Sequence, residues 1–256
     1  MKNMHFEQIK DNLKNLGINK GDSVLIHSSC RSLGYIEGGI QTLIEALLSQ
    51  LGDSGNLLIP TLSYESVNAM ENPTFDIVNT PSCVGAIPNF FREYEGVKRS
   101  MHPTHSVCVL GANQDELTKN HYLDNEPVGP NSPFCLLPEY GGKVLMLGCG
   151  TNPNTSMHGI EEHLKVPYVL SDEPRKYTTI DEFGNKTTRD YYWHYMKYRG
   201  YSQCYYRLEN LMEFTKGKIL EADCNVIDSP TMWKVASEKI KEDTYYFTGR
   251  IEPEKL

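Results

Sequence analysis

The chain has 256 residues, 39% of them apolar and 23% charged, which is enough apolar material for a buried core and argues against a disordered chain. Twenty-five Lys and Arg against 33 Asp and Glu give a formal charge of -8, the opposite of the basic face that a nucleic-acid binder carries and a field that attracts small cations. No apolar run approaches the roughly 18 residues that span a bilayer, and MKNMHFEQIKDNLKNLG has no apolar block or cleavage site of a secretory signal. Seven cysteines form no C-x-x-C pair and mostly sit in apolar runs, as buried thiols of a cytoplasmic protein do.

Phe6, Ile9, Leu13 and Leu16 recur at helical spacing, with Gly17 as a stop. Ser23–Ile26 then reads as a buried strand. Ile40, Leu43, Ile44, Leu47, Leu48 and Leu51 form the most regular apolar helix face in the chain, ended by Gly52. A turn at Asp53–Gly55 leads into a second apolar run, Leu57–Ile59, so the first 60 residues read as a helix and a βαβ unit. Residues 62–82 are polar and rich in Pro, Asn and Thr, the texture of a functional loop. The next helix carries Val84, Ile87, Phe90, Phe91 and Tyr94, with Pro88 expected to kink it or delay its start.

Val107–Leu110 and Val144–Leu147 are further buried-strand runs, separated by a helical stretch at 113–122 and a Pro/Asn/Gly loop at 125–133. After residue 170 the texture changes. Tyr177–Ile180 and Lys186–Trp193 flank Phe183-Gly184-Asn185 as a hairpin, and aromatic residues crowd 191–206. A last helix begins at Ser229-Pro230. The expected architecture is one α/β domain over residues 1–256 with a β-rich excursion at about 172–195.

Two polar clusters sit at strand ends, where α/β proteins place their chemistry. One is Arg99-Ser100-Met101-His102-Pro103-Thr104-His105-Ser106; the other runs from Thr155 through His158-Gly159-Ile160-Glu161-Glu162-His163. The second is not a zinc-protease motif. His158 and His163 are five residues apart, which on a helix places them ~140° apart around the axis, and those motifs need closer spacing. No metal site is expected. Glu161 at i+3 and Glu162 at i+4 both fall on the face of His158, and either could accept one ring N–H and leave the other nitrogen as a base. A serine nucleophile near Ser28, Ser29, Ser100 or Ser106 lacks the G-x-S-x-G elbow, and no Gly-rich phosphate loop occurs.

Five segments in order over residues 20–170 together resemble the aminoglycoside 3-N-acetyltransferase, or antibiotic N-acetyltransferase, family. They are Gly21–Ser29 with Leu33-Gly34, Leu58–Thr61, Pro81–Gly85 with Arg99–Ser106, Gly129–Phe134, and Val144–Gly148 with Asn154–Glu161. The resemblance implies a three-layer α/β/α fold with a mixed β-sheet, distinct from the common N-acetyltransferase superfamily. Arg31–Ile36 comes near that superfamily's coenzyme loop but ends in Ile, in agreement.

The resemblance further implies direct acetyl transfer from acetyl-coenzyme A to the 3-amino group of an aminoglycoside in a ternary complex, without a metal. It places the catalytic base at His158, its partner at Glu161 and a hydroxyl near the reacting carbonyl at Thr155. It assigns the coenzyme to His27, Ser28, Ser29 and Gly34, with Arg99, Ser100, His102, Ser106 and Val107 beside the pantetheine arm. A polycationic amine suits the charge of -8, with Glu65, Glu71 and Asp76 as acceptor contacts. A homodimer is compatible with it. The chain departs from the family at Cys83, where an aromatic is common, at Asn89, and through 190–225, so a different small amine is the alternative acceptor. A serine hydrolase and a binding protein without turnover are the remaining readings.

Overall fold

The computed structural model describes residues 3–251. Helix α1 (Met4–Asn15) is capped by the Asn3 side chain, which accepts from the amides of His5 and Phe6. It ends where Gly17 takes a φ of +74° and Ile18 N–H closes back onto Leu13 O. Strand β1 (Ser23–Ser28), helix α2 (Gly39–Leu51) and strand β2 (Asn56–Pro60) form the expected βαβ unit, with β1 and β2 parallel and Ser23 opposite Asn56.

The 62–82 segment is not all loop. It contains β3 (Thr74–Asp76), and helix α3 (Ala86–Arg92) follows with Pro88 in its first turn, where a missing N–H costs nothing. Strands β4 (Lys98–Arg99) and β5 (Val107–Gly111) come next, then short helices α4 (Gln114–Thr118) and α5 (Pro133–Leu136). Strand β6 (Lys143–Leu147) leads into helix α6 (Ser156–His163). The expected hairpin is β7 (Arg175–Ile180) with β8 (Lys186–Tyr191), its turn held by Asp181 Oδ1 accepting from the amides of Phe183 and Asn185. Strands β9 (Tyr201–Gln203), β10 (Thr215–Ile219) and β11 (Ala222–Asp228), helix α7 (Ser229–Glu242) and strand β12 (Thr248–Arg250) complete the chain. The cap of α7 is Asp228, one residue before the expected Ser229, with Pro230 in the first turn.

The main sheet runs β10-β11-β6-β1-β2-β5-β4. Its centre, β6-β1-β2, is parallel; the flanking pairings β10-β11, β11-β6, β2-β5 and β5-β4 are antiparallel. Both faces are covered, which is why the central strands are continuously apolar. Val24, Ile26, Leu57, Ile59 and Leu145 pack with Ile9, Leu43, Leu47, Ile87 and Phe91 of α1, α2 and α3. The alternate residues Leu25, Leu58, Val144 and Met146 pack with Phe134, Met157, Ile160, Met232 and Ile240 of α5, α6 and α7. The result is the three-layer α/β/α fold with a mixed sheet.

The hairpin does not stand alone. β7 pairs in parallel with β3, so the 172–195 excursion and the 62–82 segment build one small sheet, closed by Phe75, Tyr177 and Tyr191. That sheet overhangs the carboxyl ends of β1 and β2. Among the described residues no helix is long and apolar enough to cross a membrane.

Candidate active site

A cleft of about 1030 Å³ opens above those strand ends. Its floor comes from the main sheet (His27, Ser28, Pro60) and the start of α6 (Thr155, His158), its roof from the small sheet and the segment behind it (Glu71, Tyr177, Trp193, His194, Tyr205). Helix α6 packs closely against α5 and the loop before it because Gly159 carries no side chain. A Cβ there would lie 2.9 Å from both Cys135 Sγ and Val128 Cγ1. Met157 and Ile160, fully buried, fix the helix face, and His158 is thereby aimed along the cleft floor.

His158 Nδ1 meets Glu161 Oε2 at 3.0 Å, the i,i+3 partnership that the helix spacing offers. Glu161 is fully buried and accepts from two phenols as well, Tyr168 at 3.0 Å on Oε1 and Tyr205 at 2.6 Å on Oε2. The Tyr205 hydroxyl also stands 2.7 Å from His158 Nδ1. Nδ1 thus carries both short contacts, while Nε2 meets only the same phenol at 3.5 Å, so Nε2 is the nitrogen left to act as a base from the cleft lining. Burial pushes the Tyr205 phenol well above its ordinary pKa, so it stays a donor.

Glu162, which the sequence left as an equal candidate, turns to another histidine. Its Oε1 lies 2.6 Å from His194 Nε2, and its Oε2 accepts the Val128 amide at 2.9 Å. The His194 ring is 4.0 Å from that of His158, and His105 stands edge-on to it at 4.6 Å. His102 stacks on His121 at 5.1 Å behind them. Five imidazoles therefore gather at this end of the sheet. Burial holds His102, His105 and His194 well below the usual histidine pKa and pushes His121 down to about 3. Each of these four is a neutral ring near pH 7.

Of the residues assigned to the coenzyme, His27 and Ser28 line the cleft, and burial pushes His27 down to about 3. Ser29 lies just beyond, its amide bonded to Leu147 O at 2.9 Å and its carbonyl to the Ser32 hydroxyl. Gly34, at a φ of +72°, turns the chain against the Glu221 carboxylate, which leaves no room for a side chain. The Arg99 cluster forms the layer behind the wall. Arg99 donates to Ser106 Oγ, Ile77 O, Thr80 O and Thr61 O and lies over the Phe75 ring. Ser100 bridges His121 Nδ1 and the Val107 amide, His102 Nδ1 accepts from the amides of Thr104 and His105, and Val107 is core. From that segment Thr104 and His105 reach the cleft.

Thr155 lines the cleft at the N-cap of α6, and its hydroxyl does not cap the helix. Of the acidic residues assigned to the acceptor, Glu71 lines the cleft. Glu65 is exposed outside it, and Asp76 holds the turn at Val78 and Asn79. The sequence missed His194, Tyr205 and Tyr168. The only signal for His194 and Tyr205 was the aromatic density at 191–206, which marks a wall without saying what it faces, and Tyr168 lies outside that stretch.

These residues lie in a segment that the family model described as Aminoglycoside 3-N-acetyltransferase matches from 25 to 241. The chain belongs to that family. A relative from Streptomyces paromomycinus, aminoglycoside N(3)-acetyltransferase VII, is 32% identical over 177 residues, 63% of this chain and 59% of that protein. The chain thus spans about 60% of that relative's length. Among solved structures, the apoenzyme of aminoglycoside acetyltransferase AAC(3)-IVa superimposes with a TM-score of 0.79 at 27% identity, over 98% of this chain and 92% of that one. The YokD protein from Bacillus subtilis gives a TM-score of 0.79 at 26% identity, over 93% and 99%. The family's three-layer fold accounts for nearly the whole chain, including the aromatic segment that the sequence motifs did not reach.

Proposed function

We propose that the chain is an acetyl-coenzyme A-dependent N-acetyltransferase that acetylates an amino group, the 3-amino position of an aminoglycoside, by direct transfer. The observation that carries this reading is the His158–Glu161 pair on the floor of the cleft, Nδ1 held at 3.0 Å and Nε2 left to act as a base in the space where two substrates would meet. About 1030 Å³ lies at the upper end of small-molecule pockets, room for a pantetheine arm and an acceptor side by side. His27 and Ser28, at the end of β1, are the coenzyme contacts we assign on the cleft floor. The enzyme would act in the cytoplasm, where acetyl-coenzyme A is made.

The amine attacks only as a neutral nucleophile. His158 Nε2 takes the proton released as the nitrogen bonds to the acetyl carbon, and Glu161 steadies the imidazolium through Nδ1. The proton then passes to the departing sulfur. The Thr155 hydroxyl, free of any capping duty, is placed to donate to the carbonyl oxygen as it gains charge. Cys149 also lines the cleft, but burial pushes its thiol up to about 11, so it is not a thiolate nucleophile.

One observation favours a second acceptor. Among the described residues Glu71 is the one carboxylate on the cleft surface, while Arg175, stacked on Trp193, and Lys197 bring positive charge. A smaller or less charged amine than a polycationic aminoglycoside suits that balance. Acceptor-dependent release of thiol from acetyl-coenzyme A, measured with aminoglycosides and with simple aromatic and aliphatic amines, tests both readings. Release with none of them contradicts both.

A further inference from the structure

The mechanism above uses one histidine and one glutamate, yet the site holds two such pairs built from adjacent residues. Glu161 holds His158 and Glu162 holds His194, with the two rings 4.0 Å apart at 36°. Both carboxylates are buried, and both rings keep partial access to the cleft, 12% for His158 and 17% for His194. His194 is tied at Nε2; its Nδ1 makes no hydrogen bond to any described residue and is not sealed from the cleft. An acceptor amine within reach of His158 Nε2 is therefore also within reach of a second imidazole nitrogen.

The transfer has a proton that His158 does not handle. An amine near neutral pH arrives as an ammonium and must lose one proton before attack and another during it. That first proton needs an acceptor of its own if His158 Nε2 is to be free for the second. Resting on the acetyltransferase reading, we propose that His194 and Glu162 are a second proton acceptor, which strips the incoming ammonium before His158 serves the bond-forming step.

The steps balance. An N–H bond of the ammonium breaks, the amine keeps the electron pair, and the proton goes to His194 Nδ1. The Nε2 proton moves over 2.6 Å to Glu162 Oε1, so an ammonium and a carboxylate become an amine and a carboxylic acid with no imidazolium left. The nitrogen then bonds to the acetyl carbon, the C–S bond breaks with its electron pair on sulfur, and the second proton travels through His158 to make the thiol. The first proton returns to water after product leaves. The net change is ammonium plus thioester to amide, thiol and one proton.

The surroundings favour this relay over a stored positive charge. His194 faces His158, His105 and His102, and burial among them holds its pKa well below the usual value. Glu162 faces Glu126, Glu161 and Asp124, and burial raises it well above the usual carboxylate range despite the Val128 amide. The ring resists protonation as a cation and the carboxylate gives up its charge readily. A pair so placed moves a proton without holding a charge.

The test compares wild type with His194→Gln and Glu162→Gln from pH 6 to 9, using gentamicin as acceptor and circular dichroism as the folding control. The expected result is a loss in kcat/KM of about 10- to 100-fold below pH 7, the range of general base catalysis at its lower end, that closes to within about threefold as the solution supplies neutral amine. A loss of equal size at every pH would show a structural role and overturn the proposal, as would no loss at all. The imidazole nitrogen NMR spectrum of wild type needs no turnover and is read beside it. His194 protonated at Nε2 and bare at Nδ1 at pH 7 is expected, and the reverse tautomer overturns the relay even if acetyl transfer stands. Absence of thiol release in wild type with gentamicin and with the simple amines alike would instead contradict the acetyltransferase reading, which the NMR arm does not depend on.

Discussion

The Tyr205 hydroxyl donates to Glu161 Oε2 at 2.6 Å, the same carboxylate oxygen that meets His158 Nδ1 at 3.0 Å. The two donors share one acceptor, so the phenol sets how Glu161 presents itself to the imidazole. Tyr205→Phe keeps the ring against His158 and Phe247 and removes only the hydroxyl. A hydrogen bond to a charged group is worth ~1.5 kcal/mol or more, about tenfold in rate. The variant is expected to lose about tenfold in kcat with little change in KM for acetyl-coenzyme A. An unchanged kcat would show that the phenol only fills space.

Glu161→Gln tests the pair itself. The amide would present a donor where His158 Nδ1–H, Tyr168 and Tyr205 each need an acceptor, so it would favour the wrong tautomer. Steady-state kinetics should show a fall of about 10²–10³ in kcat, together with a lower Tm, because a buried donor is left facing donors. Retention of more than about a tenth of wild-type kcat would remove Glu161 from the mechanism.

Arg99 separates a coenzyme contact from a wall support. Four acceptors take its donors and the Phe75 ring lies under its guanidinium, while burial pushes its pKa down to about 10. Arg99→Lys cannot reproduce that fork. It is expected to cost about 3 kcal/mol or more of stability, several degrees in Tm, with KM for acetyl-coenzyme A within about threefold of wild type. A large rise in KM at unchanged Tm would instead make Arg99 a direct coenzyme ligand.

The buried histidines predict a steep acid limb. His27 and His121 are held down to about 3 and His102, His105 and His194 well below their usual value, all by burial. The unfolded chain protonates these rings below about 6.5 and the folded chain does not, so stability is full above that pH and falls as the pH drops toward 3. Each such ring contributes about 1.4 kcal/mol per pH unit in that window. Glu162, raised by burial, has the opposite sign, since the folded state holds its proton where the unfolded state has lost it. It softens the limb without reversing it. Urea unfolding at pH 7.5 and pH 5.5 should show a clear loss at the lower pH. His121→Asn, compared at the same two values, should flatten the dependence by about one ring's share. A pH-independent midpoint would contradict the neutral assignment.

The parts of this molecule that local pattern determines were legible in the sequence. The helix faces of α1 and α2, the three parallel strands and the β7–β8 hairpin all follow from apolar period and turn residues. So did His158 with a glutamate on its own helix face. Spacing could not divide Glu161 from Glu162, because the division is made by His194, 32 residues along and brought in by an irregular segment. Tyr205 is 44 residues from Glu161 for the same reason. β10 escaped notice because Thr215-Lys216-Gly217-Lys218 is polar, as suits a sheet edge, whereas the alternation at Cys224 and Val226 in β11 was a signal that could have been read. The pairing of β3 with β7 joins two segments about 100 residues apart, and nothing local announces it.

The most direct measurement is thiol release from acetyl-coenzyme A with and without an aminoglycoside, in wild type and His158→Ala at matched folding. Release is expected to require the acceptor and to fall at least about 10²-fold in the variant. Release that persists in His158→Ala would contradict the central claim that this imidazole, held by Glu161, is the base.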